Sequence, residues 1–429
     1  MTLLGTLGVS AAALLVFVIA FAVYITVSMN ANANREDVIV SSGRVADDPM
    51  EFIRAFNGAA GRHSHEGNEV SVYQNGAEIF PPMLEAIAAA KSTVHFATFI
   101  YGAGKVPDTF AAALIAAARR GVKVRAVLDS NGAANAPREL IKKMTDAGCQ
   151  VSWFLRAQWY DWERYNHRSH RRLLVVDGSV GFTGGVGIAD DWSGNGDSPK
   201  HWRDTHVRII GPSVASLQAA FIDSWNSCTN ELPLDAALFP SLKTVGQIPI
   251  CIVQSNPSGG TSSAQRAYAG LIAGAGRTLA ISNAYFLPSP PFVSALIEAK
   301  ARGVDVKVIM PGPYHDEPAV RRASRRTWEP LLAGGVELYE YQRTMIHAKV
   351  VVVDGLVTSI GSINFDPRSF TLNAECAAVI LDEKVSADAM RVFADDLAQC
   401  KRVTMDDVRN RGFVYRIGDS LCYWIRAQL

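Results

Sequence analysis

The chain has 429 residues, with 42 lysines and arginines against 41 aspartates and glutamates, a formal net charge of +1, so no global field gathers nucleic acid. With 48% hydrophobic residues, a chain of this length has room for two or three domains with large cores. Six cysteines, at 149, 228, 251, 376, 400 and 422, lie scattered without a CxxC pair, which excludes a zinc-finger spacing and a dense disulfide scaffold.

In chain order, the first element is apolar. No charged residue occurs from Leu3 to Met29, long enough for a helix to cross a bilayer with some tilt, and residues 1–30 are predicted as a transmembrane anchor. A secretory signal is the competing reading, because Ala31-Asn32-Ala33 resembles a cleavage site. The apolar run is too long for one, and no Lys or Arg precedes it. Arg35 and Arg44 follow the span, which favours a cytoplasmic catalytic part by the positive-inside rule. Residues 31–68 read as a polar linker.

A first globular unit is predicted over residues 69–235. Val94 to Tyr101 reads as a strand, followed by an Ala-rich helix and a second strand, Val122 to Val127. The segment Trp153 to Tyr165 mixes Trp, Tyr, Arg and Glu, a composition that suits both a membrane interface and a packed core. Then comes His170-Arg171-Arg172-Leu173-Leu174-Val175-Val176-Asp177-Gly178, running on to Thr183-Gly184-Gly185. Residues 236–260, rich in Pro and Gly, are predicted to connect to a second unit over 261–400.

That second unit repeats the first. Leu279 to Phe286, then Val293 to Arg302, then Gly303 to Ile309 answer the earlier strand, helix and strand, and His347-Ala348-Lys349-Val350-Val351-Val352-Val353-Asp354-Gly355 leads to Ile360-Gly361-Ser362. The alternation predicts an α/β fold of two tandem similar domains, each a mixed sheet flanked by helices. Residues 401–429, with Phe413, Tyr415, Tyr423 and Trp424 among arginines, are predicted to form a tail that lies at the bilayer interface or packs as a terminal helix.

Two copies of one motif offer two histidines to one reaction. Successive strand side chains alternate faces, so Arg172 and Lys349 leave the chain on the same side as His170 and His347. Histidine is suited at neutral pH either to attack phosphorus or to shuttle a proton, and two of them divide those tasks. The neighbouring cations neutralise a phosphodiester, while small residues at Gly184, Gly185 and Ser362 admit backbone N–H groups to its oxygens. A lone histidine on a strand is ordinarily a packed core residue; the repetition favours catalysis. No metal or other cofactor is called for. His63, His65 and the pair His167 and His170 lack the carboxylates or cysteines that would complete a zinc site.

On these residues the chain resembles the phospholipase D superfamily, whose signature His-x-Lys-x4-Asp occurs in duplicate. His347, Lys349 and Asp354 fit it, and Gly361 to Ser369 is similar to the family's Gly-Ser-x-Asn-x-Asp-x-Arg-Ser continuation. The resemblance implies that Asn364 helps hold the phosphate and that a later carboxylate orients the catalytic histidine; Glu375 stands in that place, with Asp204 as its first-half counterpart. Asp177 and Asp354 are assigned to loop and strand structure. The first copy departs twice, with Arg172 at the motif lysine and Gly187 where the second copy has Asn364; arginine keeps the charge but is longer and planar.

Within the superfamily the anchor, the compact two-motif chain and Trp202 to Pro212 look most like bacterial cardiolipin synthases. That likeness implies transfer of a phosphatidyl group between phosphatidylglycerol molecules through a phosphohistidine at His170, at the bacterial inner membrane. Water as acceptor would make the chain a hydrolase, and a nucleic-acid phosphodiester would make it a nuclease, which the anchor disfavours. Failure of the first copy would leave a binding-only relative. The implied partners are an anionic phospholipid and the membrane, with no protein partner. Arg321-Arg322-Ala323-Ser324-Arg325-Arg326 is either a headgroup site or a solvated helix face.

Overall fold

The structure, a computed structural model, describes residues 49–154, 166–233, 235–257 and 262–429, with helical positions at 16, 17, 20, 21 and 24. Apart from those five positions, the anchor expected at 1–30 lies outside the described residues, as does most of the aromatic and basic segment ending at Tyr165. Among the described residues no helix is long and apolar enough to cross a membrane.

The first half comprises α1 (Pro49–Ala60), β1 (Ser64–Gln74), α2 (Asn75–Ala89), β2 (Thr93–Thr98), α3 (Lys105–Arg119), β3 (Lys123–Asp129), α4 (Arg138–Asp146), β4 (Gln150–Phe154), β5 (Arg168–Ser169), β6 (Leu173–Val176), β7 (Val180–Gly184), β8 (Thr205–Ile210) and α5 (Val214–Thr229). The second comprises β9 (Ile248–Ser255), α6 (Ser263–Gly274), β10 (Thr278–Asn283), α7 (Pro290–Ala301), β11 (Asp305–Pro311), α8 (Pro318–Ala333), β12 (Glu337–Tyr341), β13 (Lys349–Val353), β14 (Val357–Gly361), α9 (Pro367–Thr371), β15 (Asn373–Leu381), α10 (Glu383–Leu397), β16 (Cys400–Arg402), α11 (Met405–Arg409) and α12 (Phe413–Trp424).

The halves share one mixed sheet. Its order runs β16-β12-β11-β10-β13-β14-β15-β9-β1-β8-β7-β6-β2-β3-β4, with β5 set against β15. Read outward from the antiparallel seam of β9 and β1, each side repeats the same strand sequence through three parallel strands, and the second half adds the antiparallel edge strand β16. The motif strands β6 and β13 lie antiparallel to β2 and β10. All four residues of β6 are buried, as are four of the five in β13, which explains why these runs are apolar without polar alternation.

Two boundaries differ from the sequence reading. The expected linker 31–68 contains α1 and the start of β1, and the expected connection 236–260 contains β9, which joins the halves. Composition disguised both: β1 begins Ser-His-Glu-Gly-Asn, and the flanking prolines and glycines hid β9. Helix α1 precedes the first half yet buries Phe52, Ile53 and Phe56 in the second half's core, beside Tyr268, Leu271 and Ile272 of α6. Each such side chain contributes about 1.5–3 kcal/mol on burial, so α1 is a structural part of the second half. The expected tail also begins inside the sheet, because β16 pairs with β12.

Candidate active site

Both motif histidines are held by the other half's backbone. Strand β5 runs parallel to the start of β15, pairing Ser169 with Ala374, and the His170 N–H donates to the Ala374 carbonyl at 2.9 Å. Across the seam the arrangement is repeated: Ile346 bridges to Arg203, and the His347 N–H donates to the Arg203 carbonyl at 2.7 Å. The residue after each of those carbonyls is a carboxylate. As a result, His170 Nδ1 lies 2.9 Å from Glu375 Oε1 and His347 Nδ1 lies 2.7 Å from Asp204 Oδ2. Each carboxylate serves the histidine of the opposite half, a crossing invisible in a sequence that places Asp204 after His170 and Glu375 after His347.

The second ring nitrogen meets the cations. Arg172 Nη2 donates to His170 Nε2 at 3.0 Å, and Lys349 Nζ to His347 Nε2 at 2.9 Å. Each ring therefore carries its proton on Nδ1, given to a carboxylate, and a lone pair on Nε2 in contact with a cation. All six groups are buried, none more than 5% exposed.

Burial holds the His170 imidazole well below its usual range, and the charges of Arg172, Lys349 and His347 push the same way. His347 falls to about 4, through burial first and Lys349 next. Burial likewise lowers Lys349 to about 7 and raises Glu375 to about 7. For Asp204, burial pushes up but is outweighed by His347 and Lys349, which hold it low. Both imidazoles are thus neutral at pH 7, the form that attacks phosphorus.

Ser362 also comes to the site. Asn364 is buried with no hydrogen-bond partner for Oδ1. Ser362, expected at the phosphate, spends its hydroxyl on Glu375 at 2.5 Å. The Gly185 N–H is not offered to a ligand: it donates to the Thr205 carbonyl at 3.1 Å, beside the non-hydrogen-bonded pair of Gly184 and His206. Gly185 is small for another reason, since a Cβ there would stand 2.0 Å from Asp204 Oδ1. The motif aspartates lie away from the histidines. Asp177 and Asp354 adopt φ of 51° and 56°, a left-handed region that Asp tolerates. Their carboxylates accept backbone N–H groups from residues 91–93 and 276–278, fixing the starts of β2 and β10.

Gly187 has a partner the sequence did not disclose. A Cβ there would meet the Trp192 ring at 2.9 Å, and Trp192 Nε1 donates to Asp204 Oδ2 at 2.8 Å. Trp192 packs edge-on against His347 at 5.1 Å, so it fills the space and steadies the pair. Gly187→Asn is accordingly expected to destabilise the protein by about 1–3 kcal/mol, the usual cost of overpacking, seen as a lower melting temperature. Unchanged stability would contradict the assignment.

Arg171 was also missed. It is fully buried on the opposite side of the strand from Arg172, pairing with Asp223 at 2.7 Å and donating to the carbonyls of Ala220 and Ser255. One side chain thereby ties α5 of the first half to β9 of the second. Strand alternation identified the side but not the partners. Among the described residues no group of three or more His, Cys, Asp or Glu is disposed to hold a metal ion.

A family model described as "Cardiolipin synthase, PLD-like domain" matches residues 83–197 and 268–397, one match in each half. "Major cardiolipin synthase ClsA" of Bacillus subtilis (strain 168) is 32% identical over 359 residues, 83% of this chain and 74% of that protein. "Cardiolipin synthase 2" of Staphylococcus epidermidis is 30% identical over 357 residues, 82% of this chain and 73% of the relative. Among solved structures, phosphatidylserine synthase from Haemophilus influenzae Rd KW20 matches with a TM-score of 0.66 at 12% identity, over 88% of this chain and 100% of that one, a likeness of fold.

Proposed function

We propose, from the premise that this chain belongs to the cardiolipin synthase family of phospholipase D-like proteins, that it is a phosphatidyltransferase joining two phosphatidylglycerol molecules into cardiolipin with release of glycerol. The observation that carries the reading is the reciprocal pair of carboxylate-oriented histidines, each with Nε2 beside a cation.

His170 is the nucleophile in this reading. Arginine does not deprotonate in proteins, so Arg172 holds His170 neutral at any working pH, whereas Lys349 beside His347 falls to about 7 through burial and lets that ring accept a proton. The phosphodiester takes the cations' N–H groups from the two Nε2 atoms. With the anion bound, His347 takes a proton from solvent on Nε2; His170 Nε2 then bonds to phosphorus, the bond from phosphorus to the terminal glycerol oxygen breaks, and His347 gives that oxygen its Nε2 proton. The added anion raises His347's affinity for the proton it delivers. In the second half-reaction, the hydroxyl of another phosphatidylglycerol passes its proton to His347 and displaces His170. Glu375 stabilises the positive ring of the intermediate, and Asn364 supplies an amide donor to a phosphate oxygen.

The membrane setting belongs to the same reading. Residues 1–30 are its anchor, holding the catalytic halves at the cytoplasmic face of a bacterial inner membrane.

Incubating the membrane-reconstituted chain with labelled phosphatidylglycerol and separating the products tests the proposal. Cardiolipin is expected. Phosphatidic acid alone would make the chain a hydrolase; no turnover, or cleavage of labelled single-stranded DNA instead, would overturn the reading. The dependence on pH follows from two groups. Below about pH 7 Glu375 protonates and ceases to balance the positive ring of the phosphohistidine, while above about pH 7 Lys349 loses its charge. A bell-shaped kcat/KM centred near neutrality is expected, and Lys349→Arg should depress it at every pH, because a permanent charge beside His347 keeps that ring from taking its proton. A flat profile between about pH 6 and 8 in the unaltered protein would contradict this assignment.

A further inference from the structure

Helix α12 is amphipathic in the wrong sense for a soluble protein. It buries Asp419, only 3% exposed, and turns Phe413, Val414, Ile417, Leu421 and Trp424 outward at 41–78% exposure. These five recur at helical spacing along one face. Helix α12 packs on α8, and Arg411, just before its first turn, reaches back to Asp419 at 3.1 Å, an ion pair that clamps the preceding segment onto the helix.

Beside that clamp lies a cavity of about 350 Å³ lined by His315, Arg321, Arg322, Arg325, Arg411 and Tyr415. Two of its four arginines are neutralised: Arg321 by Glu340 at 2.5 Å and Arg411 by Asp419. Among the described residues neither Arg322 nor Arg325 forms an ion pair, so two positive charges are left facing one opening. Arg325 also lies over the Trp328 ring, 5.6 Å from its centroid. His315 and Arg321 line a second cavity as well, which contains Tyr285 and Asp316; the Asp316 carboxylate acts on Arg172 at the catalytic site. The two cavities therefore adjoin through His315 and Arg321.

We infer that α12 seats the protein on an anionic bilayer, its apolar stripe entering the acyl boundary while Arg322 and Arg325 hold the phosphate of one anionic lipid. Both components are needed, since interfacial helices bind through buried apolar area together with attraction to acidic headgroups. The volume suits one headgroup. Charge complementarity selects this occupant over a second copy of the chain, whose corresponding face is equally positive. The inference rests on the lipid reading of the active site only in expecting a bilayer at hand.

The test uses the full chain reconstituted in phosphatidylcholine nanodiscs, with and without phosphatidylserine, and follows hydrogen exchange over residues 411–426. Exchange is expected to slow by about thirty-fold when the acidic lipid is present, from two arginines near the surface at about 1 kcal/mol each. Arg322→Glu with Arg325→Gln should abolish that difference, and so should Phe413→Ser with Leu421→Ser. Turnover of a short-chain, water-soluble phosphatidylglycerol should be unaffected in both, which shows that they fold. Equal exchange in the two bilayers with turnover intact would overturn the inference and spare the functional reading. An exchange difference without any turnover would do the reverse. Protection that rises with protein concentration would assign the face to a second copy, against the inference.

Discussion

His347→Ala is expected to reduce phosphodiester turnover by about 10⁴-fold or more, because it removes the group that protonates the departing glycerol and later accepts the proton of the attacking hydroxyl. The same change leaves Asp204 buried with one fewer donor, although Trp192 Nε1 and the Thr205 N–H still satisfy it. A stability loss of about 1–3 kcal/mol is the ordinary cost of such a gap, too small to unfold a chain with cores of this size. Activity and melting temperature are to be measured together. Turnover above about a hundredth of the unaltered rate, with the fold intact, would sink the two-histidine scheme. His170→Ala should be equally damaging but for a different reason: no phosphatidyl adduct could be trapped by acid quench.

The second large effect comes from the carboxylates, and it distinguishes crossed from uncrossed pairing. Glu375→Gln keeps the volume but loses the charge that orients His170 and balances its cationic form, and a fall of about 10⁴-fold is expected by analogy with a histidine left without its carboxylate. Asp204→Asn should cost a similar factor through His347. Because the partners are crossed, Glu375→Gln should act on the adduct-forming ring and suppress the trapped adduct, while Asp204→Asn should slow both its formation and its turnover through His347, leaving a trappable adduct. The opposite assignment of these phenotypes would place each carboxylate with the histidine of its own half and contradict the 2.9 and 2.7 Å contacts.

Much of this was legible in the sequence because duplication doubles every signal. His170, His347, Arg172, Lys349 and Glu375 could be named from spacing and resemblance, and the structure brings them together. The crossing could not be read, since it depends on β5 pairing with β15 and on Ile346 meeting Arg203, contacts between segments some 140–200 residues apart in the chain. Trp192 escaped notice for a related reason: as one tryptophan among several near the first motif, it acquires meaning only when Gly187 is seen to make room for it. Gly185 was given a ligand role on size alone, whereas its N–H is already bound to the Thr205 carbonyl. The boundary at β9 failed because prolines and glycines flank a strand as readily as they build a connector.

The crossed pairing has a consequence for how such a chain can vary over generations. A change in either half is felt in the chemistry of its sibling, so neither copy is free to decay while the other carries the reaction. Substitutions such as Arg172 and Gly187 must then be tolerated by both halves at once, and the two copies inherit as a single locus of function, much as the subunits of a symmetric dimer would once they had been joined end to end.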